Sequence, residues 1–177
     1  MRMGVQSPQV KVLAVDRKAS FPPVVADDTR VLILGSLPSE TSLAAGRYYA
    51  HPQNRFWRLI ATVTDRDLAA LDYEARLAAL LNARIGLWDT VASAHREGSL
   101  DGALRGVERA DLPELVATLP HLRAIGFNGA TAAKIGRRAL GETPLALIDL
   151  PSSSPAHAAM SFSEKAERWK SLREFLV

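Results

Sequence analysis

Residues 31–38 read Val31-Leu32-Ile33-Leu34-Gly35-Ser36-Leu37-Pro38. A continuous apolar run that stops at Gly-Ser has no wet face. It reads as a strand buried on both sides, the kind found inside parallel sheets. Similar runs recur at Ile85 to Trp88, Leu122 to Phe127 and Leu145 to Leu150. Helical spacing separates them. Phe56, Leu59, Ile60 and Val63 share a face in residues 55–63, and Leu68, Leu71, Ala75, Ala78 and Leu81 do so in residues 68–81. Asp111-Leu112-Pro113 opens a further helix, with Asp as N-cap and Pro in the first turn, that stops near Leu119-Pro120. Residues 130–140 and 163–176 read as helices, the last with Ala166, Trp169, Leu172, Phe175 and Leu176 facing inward. Strands that alternate with helices imply an α/β fold: a parallel sheet covered on both faces and joined by right-handed crossovers.

With 177 residues, 47% apolar and 23% charged, the chain suits one globular domain rather than a disordered or fibrous protein. Residues 1–18 carry little pattern and read as a tail with a short strand at Val10 to Val15. Residues 19–177 read as the domain, approached through the stiff Phe21-Pro22-Pro23. No apolar run reaches the roughly 18–20 residues needed to span a bilayer, and no secretory leader is visible. Cys is absent, which excludes disulfides, thiolate metal sites and a cysteine nucleophile. A cytoplasmic protein whose chemistry avoids sulfur is expected.

Net charge is +3 and the sequence pI is about 9.5. That balance suits contact with nucleic acid through one face. Lys occurs only at Lys11, Lys18, Lys134, Lys165 and Lys170, and the other basic residues are Arg. Arg is the better bidentate phosphate ligand. A GC-rich genome would produce the same bias together with the many Ala.

Ligands of open α/β sheets bind beyond the carboxyl ends of the strands. Four loops lie there: Gly35 to Asn54, Asp89 to Asp101, Asn128 to Thr131, and Pro151 to His157. The first begins as a Gly/Ser/Pro turn that can present N–H groups to an anion or a carbonyl, or can be a plain strand-to-helix turn. It lacks both the Walker spacing and G-x-G-x-x-G. It continues as Tyr48-Tyr49-Ala50-His51-Pro52-Gln53-Asn54-Arg55-Phe56-Trp57. Aromatic rings stack on extruded bases, Asn bonds base edges or water, and Arg binds phosphate. Phe56 and Trp57 open a helix and read as core, whereas Tyr49 and Asn54 suit a functional role. The second loop supplies Asp89, Ser93, His95, Arg96, Ser99 and Asp101. In the last, Pro151-Ser152-Ser153-Ser154-Pro155-Ala156-His157 offers hydroxyls and amides between two prolines. Such a segment can pinch phosphates or be an ordinary surface loop. The four His residues show no i, i+4 pairing and no nearby carboxylate cluster, so no dedicated metal site is expected. No G-x-S-x-G marks a serine hydrolase.

Leu32 to Ser39, Tyr48 to Trp57, Leu87-Trp88-Asp89, Arg96 to Asp101, Phe127-Asn128-Gly129 and Leu150 to Pro155 together resemble the uracil-DNA glycosylase superfamily. The hypoxanthine-DNA glycosylase branch matches most closely. The His-Pro-x-Asn-Arg-Phe-Trp run is also similar to the mismatch-specific uracil glycosylase branch. The resemblance runs from Phe21 to the end of the chain. It implies a three-layer α/β/α fold around a four-stranded parallel sheet. It also implies a monofunctional glycosylase that flips a deaminated base (hypoxanthine, with uracil or xanthine as further candidates) out of double-stranded DNA and hydrolyses its N-glycosidic bond. No metal, no cofactor and a monomer are expected.

Where most branches carry an Asp, Asn or Glu in the first turn, this chain has Ser36 and Leu37. By the resemblance Asn54 becomes the catalytic residue. Gly35, Ser36, Leu37, Tyr49 and Asp89 would form the base site, with Tyr49 stacking on the base and Asp89 accepting its ring N–H. Arg55, Asn128, Ser152, Ser153, Ser154 and His157 would meet the DNA backbone, and Asn128 would also cap the helix that follows it. Two alternatives stay open: a mismatch-type uracil or thymine glycosylase, and a non-catalytic protein of the same fold that binds damaged or single-stranded DNA.

Overall fold

The computed structural model describes residues 16–177. The elements run β1 (Arg17–Ala19), β2 (Val31–Gly35), α1 (Glu40–Ala45), α2 (Phe56–Thr64), α3 (Tyr73–Asn82), β3 (Ile85–Asp89), β4 (Val91–His95), β5 (Arg105–Arg109), α4 (Leu112–Ala117), β6 (Ala124–Asn128), α5 (Ala130–Leu140), β7 (Ala146–Leu150) and α6 (Phe162–Trp169). Short 3-10 segments occupy Asp101–Ala103 and Lys170–Phe175. The strand expected at Val10 to Val15 lies outside the described residues.

The main sheet has the order β3-β2-β6-β7, and every pair is parallel. The apolar run of β2 is explained by its two faces. Val31 and Ile33 belong to one core cluster with Phe56, Leu59, Ile60, Trp169 and Leu172. Leu32 and Leu34 belong to another with Leu112, Ile125, Phe127 and Ala132. Successive side chains of a strand point to opposite faces, so a strand between two helical layers has no polar position. These layers make the expected α/β/α sandwich. On the second face Gly136 of α5 rides against Phe127, where an added Cβ would fall 2.3 Å from a ring carbon. Only glycine permits that close approach of helix to sheet.

The second loop, expected to be irregular, is largely a β-hairpin. β4 pairs antiparallel with β1 and with β5, giving a small second sheet. Two features concealed it. All of β5 is exposed, so Arg105-Gly106-Val107-Glu108-Arg109 shows no buried face, and the β4–β5 register is broken by bulges. Arg17 and Lys18, assigned to the tail, lie in β1. The sheet is continuous with the main fold through Thr90, whose N–H donates to Gly35 O, and Val91, whose N–H donates to Ser36 O. It thereby extends the wall beyond the end of β2.

Two helices also differ in extent. The helix expected over residues 68–81 starts at Tyr73, with Asp72 as N-cap accepting from Ala75 N. Leu68 is buried but belongs to the preceding turn, which Arg76 holds by bonds to the carbonyls of Leu68, Ala69 and Leu71. Apolar spacing carried across that turn imitated a longer helix. The last helix begins at a Ser161–Glu164 capping box and tightens into the 3-10 segment after Trp169.

Candidate active site

The carboxyl ends of β2, β3 and β6 converge with the loop after β7 on one cavity of about 300 Å³. That is at the lower end of small-ligand pockets, roughly 300–1,000 Å³. Gly35 ends β2 at its edge. A Cβ on residue 35 would lie 2.7 Å from Asp89 Oδ1 and 3.1 Å from the Tyr49 hydroxyl. Glycine is required because two polar groups close over the strand end from the neighbouring strand and from the long loop.

Asp89, at the end of β3, is 3% exposed. Its Oδ2 accepts from the Ser20 hydroxyl at 2.6 Å. Burial pushes the carboxyl up to about 7; the Ser20 bond opposes this, the charge of Asp101 adds to it, and the Arg96 guanidinium opposes it. The group is poised to hold or release a proton near neutrality.

Tyr49 has a left-handed backbone (φ 53°) and its ring stacks on Phe56 of α2, with centroids 3.8 Å apart. Burial, with Asp89 beside it, pushes its phenol well above the usual range. The phenol oxygen accepts from Asn128 Nδ2 at 3.2 Å. The same amide donates to Ser153 Oγ at 2.9 Å, while Asn128 Oδ1 accepts from Ser153 N at 2.9 Å. Asn128 therefore does not cap α5: Gly129 takes the N-cap position with φ 99° and no side chain caps that helix. The Asn128 amide instead ties the aromatic wall to the serine loop. Ser153 is fully buried in that tie, which sets it apart from Ser152 and Ser154, both partly exposed on the cavity wall.

The serine loop is braced from behind. Trp169 Nε1 donates to Pro151 O, and the buried Lys165 ammonium donates to Ser152 O and His157 O. Burial lowers the Lys165 pKa, the Arg55 charge adding to the effect. Arg55 N donates to Ser153 O, which locks the start of α2 to the same loop.

Asn54 lies beside the cavity and not in its lining. Its Oδ1 accepts from Phe56 N at 2.9 Å, closing an Asx turn at the head of α2. It lines two adjoining clefts. One, of about 740 Å³, shares the Tyr49 wall. The other, of about 360 Å³, gathers Arg55, Arg58, Ser154 and His157. Leu37 touches the cavity, yet its side chain packs with Val91 and Ala94 of β4. This apolar contact with the second sheet is the physical reason for Leu at that position.

Sequence reasoning overlooked several participants. Asp101 lines the cavity, and Ser20, Arg96 and Lys165 bond residues of its wall. Ser20 and Lys165 carry no local signal, because each is defined by a partner remote in sequence. Arg96 and Asp101 lie in the segment Arg96 to Asp101, whose sequence does not show which residues they bond. Among the described residues no group of three or more His, Cys, Asp or Glu could hold a metal ion, and no helix is long and apolar enough to cross a membrane.

Comparison with known proteins places these observations in a family. The profile of the uracil DNA glycosylase superfamily matches residues 22–175. A protein of Methanosarcina barkeri named hypoxanthine DNA glycosylase is 38% identical over 153 residues, covering 85% of this chain and 94% of that protein. One of the same name from Methanosarcina acetivorans is 39% identical over 158 residues, covering 88% and 97%. The solution NMR structure of a candidate uracil DNA glycosylase from Methanosarcina acetivorans superposes with a TM-score of 0.79 at 37% identity, covering 91% of this chain and 99% of that one.

Proposed function

The chain belongs to the uracil DNA glycosylase superfamily and is a hydrolase of N-glycosyl bonds; from that premise we propose that it removes hypoxanthine from double-stranded DNA, with uracil and xanthine as further candidate bases, and so begins base excision repair. The observation that carries this reading is the cavity at the sheet end, where the Tyr49 ring and the Asp89 carboxyl meet over Gly35. A base inside the duplex is out of reach, so it must be extruded at a cost of a few kcal/mol, least for a mispaired base. The Tyr49 ring, backed by Phe56, offers a rigid surface for it. Asp89 lines the cavity, and its carboxylate would accept the N1–H of hypoxanthine or the N3–H of uracil.

Hydrolysis passes through an oxocarbenium-like sugar with negative charge building on the departing base. Donors already fixed at the cavity wall stabilise that charge without reorganising. This role is assigned to the Ser152 and Ser154 hydroxyls and the backbone of the first turn, which line the cavity. Asn54, which lines the two adjoining clefts, is assigned to the sugar side of a flipped nucleotide. Arg55, Arg58 and His157 line the polar cleft that would take the flanking phosphates. The protein acts as a monomer, since one cavity serves one lesion. A lyase step needs an amine at C1′. Among the described residues no Lys lines the cavity, and the nearby Lys165 ammonium is bonded to two carbonyls. The enzyme is therefore monofunctional.

The test is one gel. Duplexes carrying inosine, uracil or xanthine are incubated with the protein and then treated with alkali. Strand breaks that appear only after alkali are expected, strongest with inosine. Breaks without alkali would overturn the monofunctional assignment. Salt-dependent binding with no breaks in any duplex would favour the non-catalytic alternative.

A further inference from the structure

The segment Arg96-Glu97-Gly98-Ser99-Leu100-Asp101 is built toward the cavity. Arg96 is 1% exposed, and its guanidinium donates to Leu37 O, Pro38 O and Gly98 O. It thereby clamps the segment onto the first turn. Ser99 Oγ accepts from Glu40 N, and Lys18 Nζ bridges Glu40 Oε1 to Gly98 O. These anchors deliver Asp101 to the cavity wall, where the Ser36 hydroxyl donates to Asp101 Oδ1 at 2.6 Å. Among the described residues no hydrogen bond engages the other oxygen. A buried cation, six hydrogen bonds and a short Ser–Asp contact are a large investment for an exposed hairpin tip. They fix a carboxylate at the end of β2.

We propose that Asp101 is the catalytic base of this site: with Oδ1 held by Ser36, its Oδ2 binds the attacking water and takes its proton. The inference rests on the glycosylase reading above. The C1′–N bond breaks with its electron pair leaving on the base. The water oxygen bonds C1′, and its proton passes to Asp101 Oδ2 and on to solvent. Solvent protonates the base anion, so one water is consumed and nothing else. Two carboxyls then divide the work. Asp89, held by Ser20 between Gly35 and Tyr49, meets the base. Asp101, at the start of the 3-10 segment Asp101–Ala103, meets the water. Asn54 does not compete for this role, because a neutral amide accepts no proton and lies outside the cavity lining.

A brace and a base respond differently to Asp101→Asn. The amide oxygen still accepts from Ser36, so a purely structural role survives the change, whereas the charge is lost. Single-turnover release from an inosine duplex at saturating protein is expected to fall about 10²–10⁴-fold. Affinity for a duplex with a tetrahydrofuran abasic analogue, read by fluorescence anisotropy, and the urea midpoint should stay as in the unaltered protein. Ser36→Ala, which keeps the carboxylate but frees it, should slow release about tenfold. An Asp101→Asn rate equal to that of the unaltered protein overturns the proposal and leaves the glycosylase reading standing. So does a rate that falls only in step with the midpoint and the affinity, which marks a brace. If the unaltered protein releases no base from any of the three duplexes, the glycosylase reading fails first and the proposal with it.

Discussion

The phenol ring of Tyr49 lies on the ring of Phe56, centroids 3.8 Å apart and planes within 11° of parallel. Phe56 is fully buried at the head of α2, so one face of Tyr49 is fixed to the core of the protein. The left-handed backbone at Tyr49, a conformation costing about 1–3 kcal/mol, holds the ring in this place.

Tyr49→Ala is expected to weaken binding of an inosine duplex and slow base release, by about 1–3 kcal/mol in the combined effect. Tyr49→Phe keeps the stack and loses only the bond from Asn128, with a stability loss of about 0.5–1.5 kcal/mol and near-normal release. Single-turnover rates and urea denaturation check both. Normal release by the Ala variant would remove the ring from base binding.

Gly35→Ala puts a methyl group 2.7 Å from Asp89 Oδ1. Neither β2 nor β3 can yield without breaking its pairing, so a stability loss of about 1–3 kcal/mol is expected, with Asp89 displaced from the cavity. Base release should fall by more than affinity for the duplex does. Equal urea midpoints for the two proteins would show that the carboxyl swings aside freely.

Asn54 has two separable tasks. Its Oδ1 closes the turn at the head of α2, and its Nδ2 is the group assigned to the substrate. Asn54→Ala loses both, with a stability cost of about 1 kcal/mol for the turn. Asn54→Asp keeps the acceptor. Both variants should slow base release at saturating protein, whereas thermal denaturation should detect the stability loss in the Ala variant alone. Full activity in Asn54→Asp would dismiss the amide N–H from catalysis.

Burial raises the Asp89 carboxyl to about 7, against an ordinary value of about 3.9. For an acid shifted upward, the folded state holds the proton more tightly. The stabilisation is full below about pH 4 and disappears as pH rises through 7. Asp89→Asn does not titrate. Relative to the variant, the unaltered protein should lose urea stability between about pH 4 and pH 8. Parallel pH–stability curves would show that the carboxyl ionises as an exposed one does.

The layers of the fold were legible because their cause is local. Val31 to Leu34 has no wet face, Asp111 and Pro113 start a helix wherever they stand, and residues 130–140 form the helix that their spacing implies. The hairpin was not legible, because β5 buries nothing and its pairing with β4 is bulged. Sequence also marked residues that line the cavity: Gly35 and Asp89 end β2 and β3, the serine loop follows β7, and Tyr49 lies in the connection between α1 and α2.

What those residues do to one another was decided only by folding. The Ser36–Asp101 and Asn128–Tyr49 bonds join residues 65 and 79 positions apart. Asn128 looked like a helix cap and is a tie between two walls. Ser153 looked like its neighbours and is buried beneath them. Leu37 looked like a missing acid and packs on a second sheet. Periodicity records which side of an element meets apolar surroundings. A hydrogen-bond partner depends on where other elements end in space, which no local pattern encodes.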